Sequence, residues 1–135
     1  MIHYTPQATI HAPLISHKDH DGVKKERPCM SDYAIMLTTC SSQEEADRLA
    51  AGLVEARLAA CVQQTPIRST YRWEGEIVKD DELLLLIKTR TALFAQVEAW
   101  IKAHHSYDTP EIVMTPITDG SRDYLDWVFE TTSSP

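Results

Sequence analysis

Two stretches of this chain are apolar at every position, and they constrain its fold more than any other feature. Ala34-Ile-Met-Leu37 and Leu83 to Ile87 each bury side chains on both faces if extended, so both predict central strands of a sheet. Between and after them lie helical patterns. Ser41 and Ser42, with Glu44 and Glu45 three residues on, give two overlapping capping-box registers. Ala46, Leu49, Ala50, Leu53 and Val54 then follow with the spacing of an amphipathic helix. Ala59 to Thr65 predicts a weaker strand interrupted by Pro66, and Thr70-Tyr-Arg-Trp73 alternates up to a hairpin turn at Glu74-Gly75-Glu76. Ile77 starts the return strand, on which Lys79-Asp-Asp-Glu82 is expected to face solvent. A second helix is expected from a Thr91 cap, with Leu93, Val97, Trp100 and Ile101 on one stripe. Ile112-Val-Met114 predicts a last strand broken by Pro116, and Asp119-Gly-Ser121 introduces a terminal helix carrying Tyr124, Leu125 and Val128.

The order is β-α-β-β-α-β plus a C-terminal helix, the α+β ferredoxin-like arrangement. Right-handed crossovers interleave its strands into an antiparallel sheet with both main helices on one face. The other face then presents large aliphatic side chains from residues 34–37 and 83–87. A contiguous apolar patch of that kind marks an interface, and other copies of the chain are expected to cover it.

Residues 1–29 read differently. They hold three prolines, no periodic apolar face and four of the six histidines, which predicts a flexible extension preceding a domain over 30–135. His17-x-x-His20 with Asp19 and Asp21 is at most a weak chelate, because ordering a mobile segment opposes binding. The extension carries four Lys/Arg against three Asp/Glu, and residues 30–135 carry nine against seventeen, giving +1 and −8. So acidic a domain repels phosphate backbones and favours cations, which argues against nucleic acid as a partner. No apolar run approaches the about 18 residues that span a bilayer, and 1–29 lack the apolar core of a secretory signal. Cys29, Cys40 and Cys61 show no paired spacing, so the expected compartment is the cytoplasm, with no membrane partner. An RNA-recognition module shares the element order, but it needs aromatics on central strands where this chain has Leu83 to Ile87.

Several segments carry a resemblance. Leu58-Ala-Ala-Cys-Val62, Tyr71-Arg-Trp-Glu-Gly75, Lys88-Thr89, His104-His-Ser-Tyr-Asp-Thr-Pro-Glu111 and Asp123-Tyr-Leu-Asp-Trp127 resemble, in order and spacing, the CutA divalent-cation-tolerance family from about Tyr33 to Glu130. The resemblance implies a ferredoxin-like homotrimer akin to the PII signalling trimers, with sheets packed at its centre and hairpins pairing between subunits. It implies binding of copper(II) or another divalent cation, and no established enzymatic activity. It also implies a metal site formed by a Cys near the end of the first strand with the first His and the Glu of the His-His…Pro-Glu segment. Here these are His104 and Glu111, while the Cys position aligns with Thr38 and the chain offers Cys40 two residues later. Side chains two apart in a strand share a face, so Cys40 is the candidate third ligand.

Each of these residues also has a plainer reading. His104 extends the Leu93 stripe to the helix C-terminus, where the dipole favours an imidazole. His105 faces away from that stripe and is expected to be exposed. Glu111 pairs equally well with Lys88, and Cys61 reads as a small apolar core residue. Tyr71 and Trp73 are expected to pack at a subunit contact. No Ser-His-Asp order, Gly-rich phosphate loop or HExxH spacing occurs, so no catalytic residue is expected. The competing function is a PII-like trimeric small-ligand sensor or partner scaffold, for which Lys88, Arg68 and Arg72 are the only basic candidates in the domain.

Overall fold

The computed structural model describes residues 31–135. The extension expected over 1–29, with its His17-x-x-His20 cluster, lies outside the described residues. The elements are β1 (Tyr33–Cys40), α1 (Gln43–Glu55), β2 (Cys61–Trp73), β3 (Glu76–Arg90), α2 (Phe94–His104), β4 (Val113–Pro116) and α3 (Arg122–Thr131). The strands form one antiparallel sheet in the order β2-β3-β1-β4, the ferredoxin-like topology the sequence predicts.

Strand alternation divides the sheet into two unlike faces. Met36 and Cys40 of β1 and Leu85 and Ile87 of β3 pack against Ala46, Leu49 and Leu53 of α1 and Val97 and Ile101 of α2. All of these are fully buried, and each large aliphatic among them contributes about 1.5–3 kcal/mol of burial. Gly52 lets α1 and α2 approach, because a Cβ there would collide with the Trp100 ring. The opposite face carries Tyr33, Ile35, Leu37 and Thr39 of β1 beside Arg90, Lys88, Leu86 and Leu84 of β3. Its aliphatics are only half-buried.

One end of that second face is covered by α3, a contact the sequence reading did not place. Arg90 donates from Nε to Thr132 Oγ1 and from Nη2 to the Thr132 carbonyl, both at 2.9 Å, and its guanidinium lies 4.9 Å over the Phe129 ring. The Lys88 ammonium lies 5.9 Å from the Tyr124 ring centroid, a cation–π contact where the sequence also allowed a pair with Glu111. Cys61 is the register partner of Lys88 and is half-buried on this same face, not in the helix-covered core as expected.

Two further expectations are corrected. β2 is one continuous strand through Pro66, which pairs opposite Leu83. Pro66 is tolerated because β2 is an edge strand, whose outward side requires no N–H. Thr91 starts a single 3-10 turn and does not cap α2; its N–H and hydroxyl instead donate to the carbonyls of Asp32 and Ser31. The α1 start follows the second of the two capping registers, with Ser42 Oγ accepting from Glu45 N at 3.2 Å. Arg57, at φ 58°, closes the helix with a Schellman pair, Arg57 N to Val54 O and Leu58 N to Leu53 O.

β1 pairs with β3 only as far as Leu83, so Glu76–Glu82 and Ile67–Trp73 form a two-stranded ribbon beyond the sheet. Its seven residue pairs extend about 20 Å. Glu74 and Gly75 both have positive φ, the two-residue turn whose twist suits a tight hairpin. Trp73 is 60% and Ile77 67% exposed at its tip. A ribbon of two strands is marginal alone, which makes these side chains interface material.

Candidate functional site

The segment from His104 to Glu111 leaves the C-terminus of α2 and rounds the end of the sheet. Three anchors hold it. Arg48 Nη1 on α1 donates to the His104 carbonyl at 2.9 Å. Glu45, also on α1 and 6% exposed, accepts from Ser106 N and Ser106 Oγ, both at 2.9 Å, and from Arg48 at 3.3 Å. Burial pushes the Glu45 carboxyl upward, but the Ser106 hydrogen bonds, with His105 and Arg48, outweigh it and hold the carboxyl below its ordinary value.

His105 supplies the third anchor and is not the exposed residue the sequence suggests. Its Nε2 lies 2.7 Å from the Thr39 carbonyl and its Nδ1 accepts from Tyr107 N at 3.0 Å. A nitrogen facing a carbonyl carries the proton and one facing an N–H does not, so the Nε2–H tautomer is fixed. Tyr107 then donates its hydroxyl to Glu82 Oε1 at 2.9 Å, and Ser69 donates to Glu82 Oε2 at 2.5 Å. Burial, with Glu82 beside it, pushes the Tyr107 phenol up to about 12. Asp80 likewise accepts from the Tyr71 hydroxyl. The acidic run at 79–82, expected to be solvated, is therefore only half so. Alternation turns Asp80 and Glu82 onto the second face, where hydroxyls meet them.

That face contains a groove of about 900 Å³. Leu37, Ile67 and Leu84 are among its apolar lining, with Tyr107 beside them, and it receives the carboxylates of Glu82, Asp108 and Glu111. Among the described residues no Lys, Arg or His lines it.

The three residues implied as metal ligands fall in three surroundings. His104 is exposed at the end of α2, with its ring stacked on Trp100 at 4.0 Å between centroids and 15° between planes. Its Nδ1 lies 2.7 Å from the Trp100 carbonyl and so carries the proton, which leaves the Nε2 lone pair available to a cation. Glu111 is exposed and lines the groove. Cys40 is fully buried on the helix-covered face, its Sγ donating to the Ser42 carbonyl at 3.6 Å. Burial first, and then the Glu45 carboxylate, pushes the Cys40 thiol up. Thr38 shares that face, also fully buried, and its hydroxyl has no hydrogen-bond partner among the described residues. His104 and Glu111 suit a divalent ion as nitrogen and oxygen donors, whereas Cys40 does not join them. Among the described residues, no group of three or more His, Cys, Asp or Glu converges within one chain.

Sequence reasoning missed Glu45, His105, Tyr107 and Glu82 as a connected set. Their spacing of 61 residues between Glu45 and Ser106, and 66 between His105 and Thr39, leaves no local signal.

Comparison with known proteins matches residues 34–131 to CutA1, the CutA1 divalent ion tolerance protein family. The chain belongs to this family. It is 52% identical over 99 residues to the divalent-cation tolerance protein CutA of Thermus thermophilus, covering 73% of this chain and 96% of that protein. The Archaeoglobus fulgidus protein of the same name is 47% identical over 99 residues, 73% of this chain and 97% of its own length. The solved structure described as the periplasmic divalent cation tolerance protein CutA from Archaeoglobus fulgidus superimposes with a TM-score of 0.74 at 44% identity, over 75% of this chain and 99% of that one. The family is thus described by cation tolerance and not by a reaction. Among the described residues no helix is long and apolar enough to cross a membrane.

Proposed function

We propose that this chain acts in divalent-cation tolerance as a non-catalytic homotrimer, meeting copper(II) or a similar divalent ion at His104 and Glu111. The carrying observation is the His104 ring, whose Nδ1–H is committed to the Trp100 carbonyl while Nε2 keeps its lone pair in solvent. A neutral imidazole held in one tautomer by a backbone carbonyl is a prepared ligand. Glu111 adds an oxygen donor at the other end of the same segment, and copper(II) takes such donors at the top of the divalent affinity order. The free thiols Cys40 and Cys61 suit a reducing compartment, so we place the chain in the cytoplasm. Fractionation of the producing cell checks that assignment.

The half-buried face and the ribbon support the assembly. Ile35, Leu37, Leu84 and Leu86, with exposed Trp73 on the same side of the ribbon, offer an apolar surface that further copies would bury. Light scattering coupled to size exclusion is expected to give about three times 15.3 kDa, and a monomer peak would overturn the assembly. Calorimetry with copper(II) is expected to show saturable binding that His104→Ala weakens more than tenfold, or about 1.4 kcal/mol. Comparing the variant with the unaltered full chain cancels any copper held elsewhere. An unchanged isotherm would remove His104 from the reading.

A second reading rests on the groove. Its carboxylates and apolar lining would suit a cationic small ligand of a PII-like sensor. Thermal stabilisation by an organic cation, unaffected by His104→Ala, would favour it over metal binding.

A further inference from the structure

We infer that Cys40 is a sealed structural thiol, and that it takes no part in holding the cation proposed at His104 and Glu111. The second half of this inference rests on the role proposed for His104 and Glu111; the first half does not. Cys40 is 0% exposed and belongs to the core cluster that includes Met36, Leu49 and Leu85. Its Sγ–H is turned toward the Ser42 carbonyl at the α1 N-cap. Thr39, the next residue back, faces the groove that Glu111 lines. Alternation therefore turns the sulfur to the sheet face opposite the groove.

A slip of β1 by one residue, which would carry Cys40 to the groove face, breaks eight pairings with β3 and turns Met36 and Thr38 out of the core. The position two residues earlier offers no alternative, because Thr38 lies on the same buried face. The loop after α2 closes the region further, since Ser106 is fastened to Glu45, the third residue of α1. A thiol binds metal as thiolate and through an entry path, and this one is fully buried. Soft ions such as copper(I), which thiolate selects, lose Cys40 as a donor, while copper(II) keeps imidazole and carboxylate.

Alkylation of the folded full-length chain with iodoacetamide, followed by peptide mapping, tests the sealed thiol directly. Cys40 is expected to stay unmodified in buffer and to react fully in guanidinium. Modification of Cys40 in buffer as fast as in guanidinium would overturn the inference. Copper(II) added to the folded chain is expected to give no thiolate-to-copper charge-transfer band that Cys40→Ala removes. A band lost in Cys40→Ala would equally overturn the inference. Should Cys40→Ala fail to fold, the alkylation map still decides. If His104→Ala binds copper like the parent chain, the cation reading falls, but the alkylation result stands by itself.

Discussion

The two faces of the sheet are built from alternate residues of the same strands, yet they meet opposite fates. Leu85 and Leu84 are neighbours of identical chemistry. Leu85 is fully buried beneath the helices, while Leu84 is half-buried in a groove beside Glu82 and Tyr107. The helix-covered face is finished within one chain. The other is finished only at the end where α3 lies, and elsewhere combines aliphatics with carboxylates and phenols. A face of that mixed kind suits contact with something outside the subunit, and a dry face does not.

The largest effect separates the two leucines. Leu85→Ala is expected to cost about 2–5 kcal/mol in urea unfolding, the usual range for a truncated core leucine. Leu84→Ala should cost clearly less if the subunit stands alone. A comparable loss that grows as protein is diluted would show that the second face is buried by other copies. Equal losses at all concentrations would break the distinction between the faces.

Gly52→Ala comes next. Glycine to alanine inside a helix ordinarily gains about 1 kcal/mol. Here the added Cβ meets the Trp100 ring, and overpacking of this kind costs about 1–3 kcal/mol. A lowered melting temperature is expected, together with a changed Trp100 environment in near-ultraviolet circular dichroism. A rise would mean that α1 and α2 are not in close contact.

Thr38→Val tests the one flaw on the covered face. The buried hydroxyl has no partner among the described residues, and replacing it with a methyl of similar shape should stabilise by about 1 kcal/mol. A loss of stability would reveal a partner for Oγ1.

The smallest effect is confined to acid. The Glu45 carboxyl is held below its ordinary value in the folded state, so its contribution is present above the unfolded value of 4.5 and is lost as pH falls through the folded value. Unfolding followed from neutral pH downward should show Glu45→Gln losing less stability than the parent below that point. Parallel curves would detach Glu45 from the acid limb. Because Glu45 anchors Ser106, this experiment also asks whether the segment linking the two faces loosens with it.

Much of the architecture was legible in the residues. Continuous apolar runs at 34–37 and 83–87 marked the central strands, the Ser42 cap and the Ala46–Val54 stripe gave α1, and Glu74-Gly75 gave the hairpin. The family motif pointed at the segment 104–111. Which of its histidines is drawn inward was not legible: half-buried His105 is held by a carbonyl 66 residues away, and no periodicity reports such a contact. Pro66 and the acidic run at 79–82 misled for a related reason. Their local preferences were outweighed by an edge position and by hydroxyls brought in from β2 and the loop after α2.

The sequence by itself determined the order and kind of the elements, because period, caps and turns act over a few residues and leave their spacing in the chain. Only the tertiary structure decided that Cys40 is buried on the helix-covered face while Glu111 lines the groove, that α3 covers one end of the second face, and that Glu45 and Glu82 secure the loop that follows His104. Those outcomes depend on which strand lies next to which and on which side each side chain emerges. Long-range pairing sets both, and in the sequence its partners stand tens of residues apart.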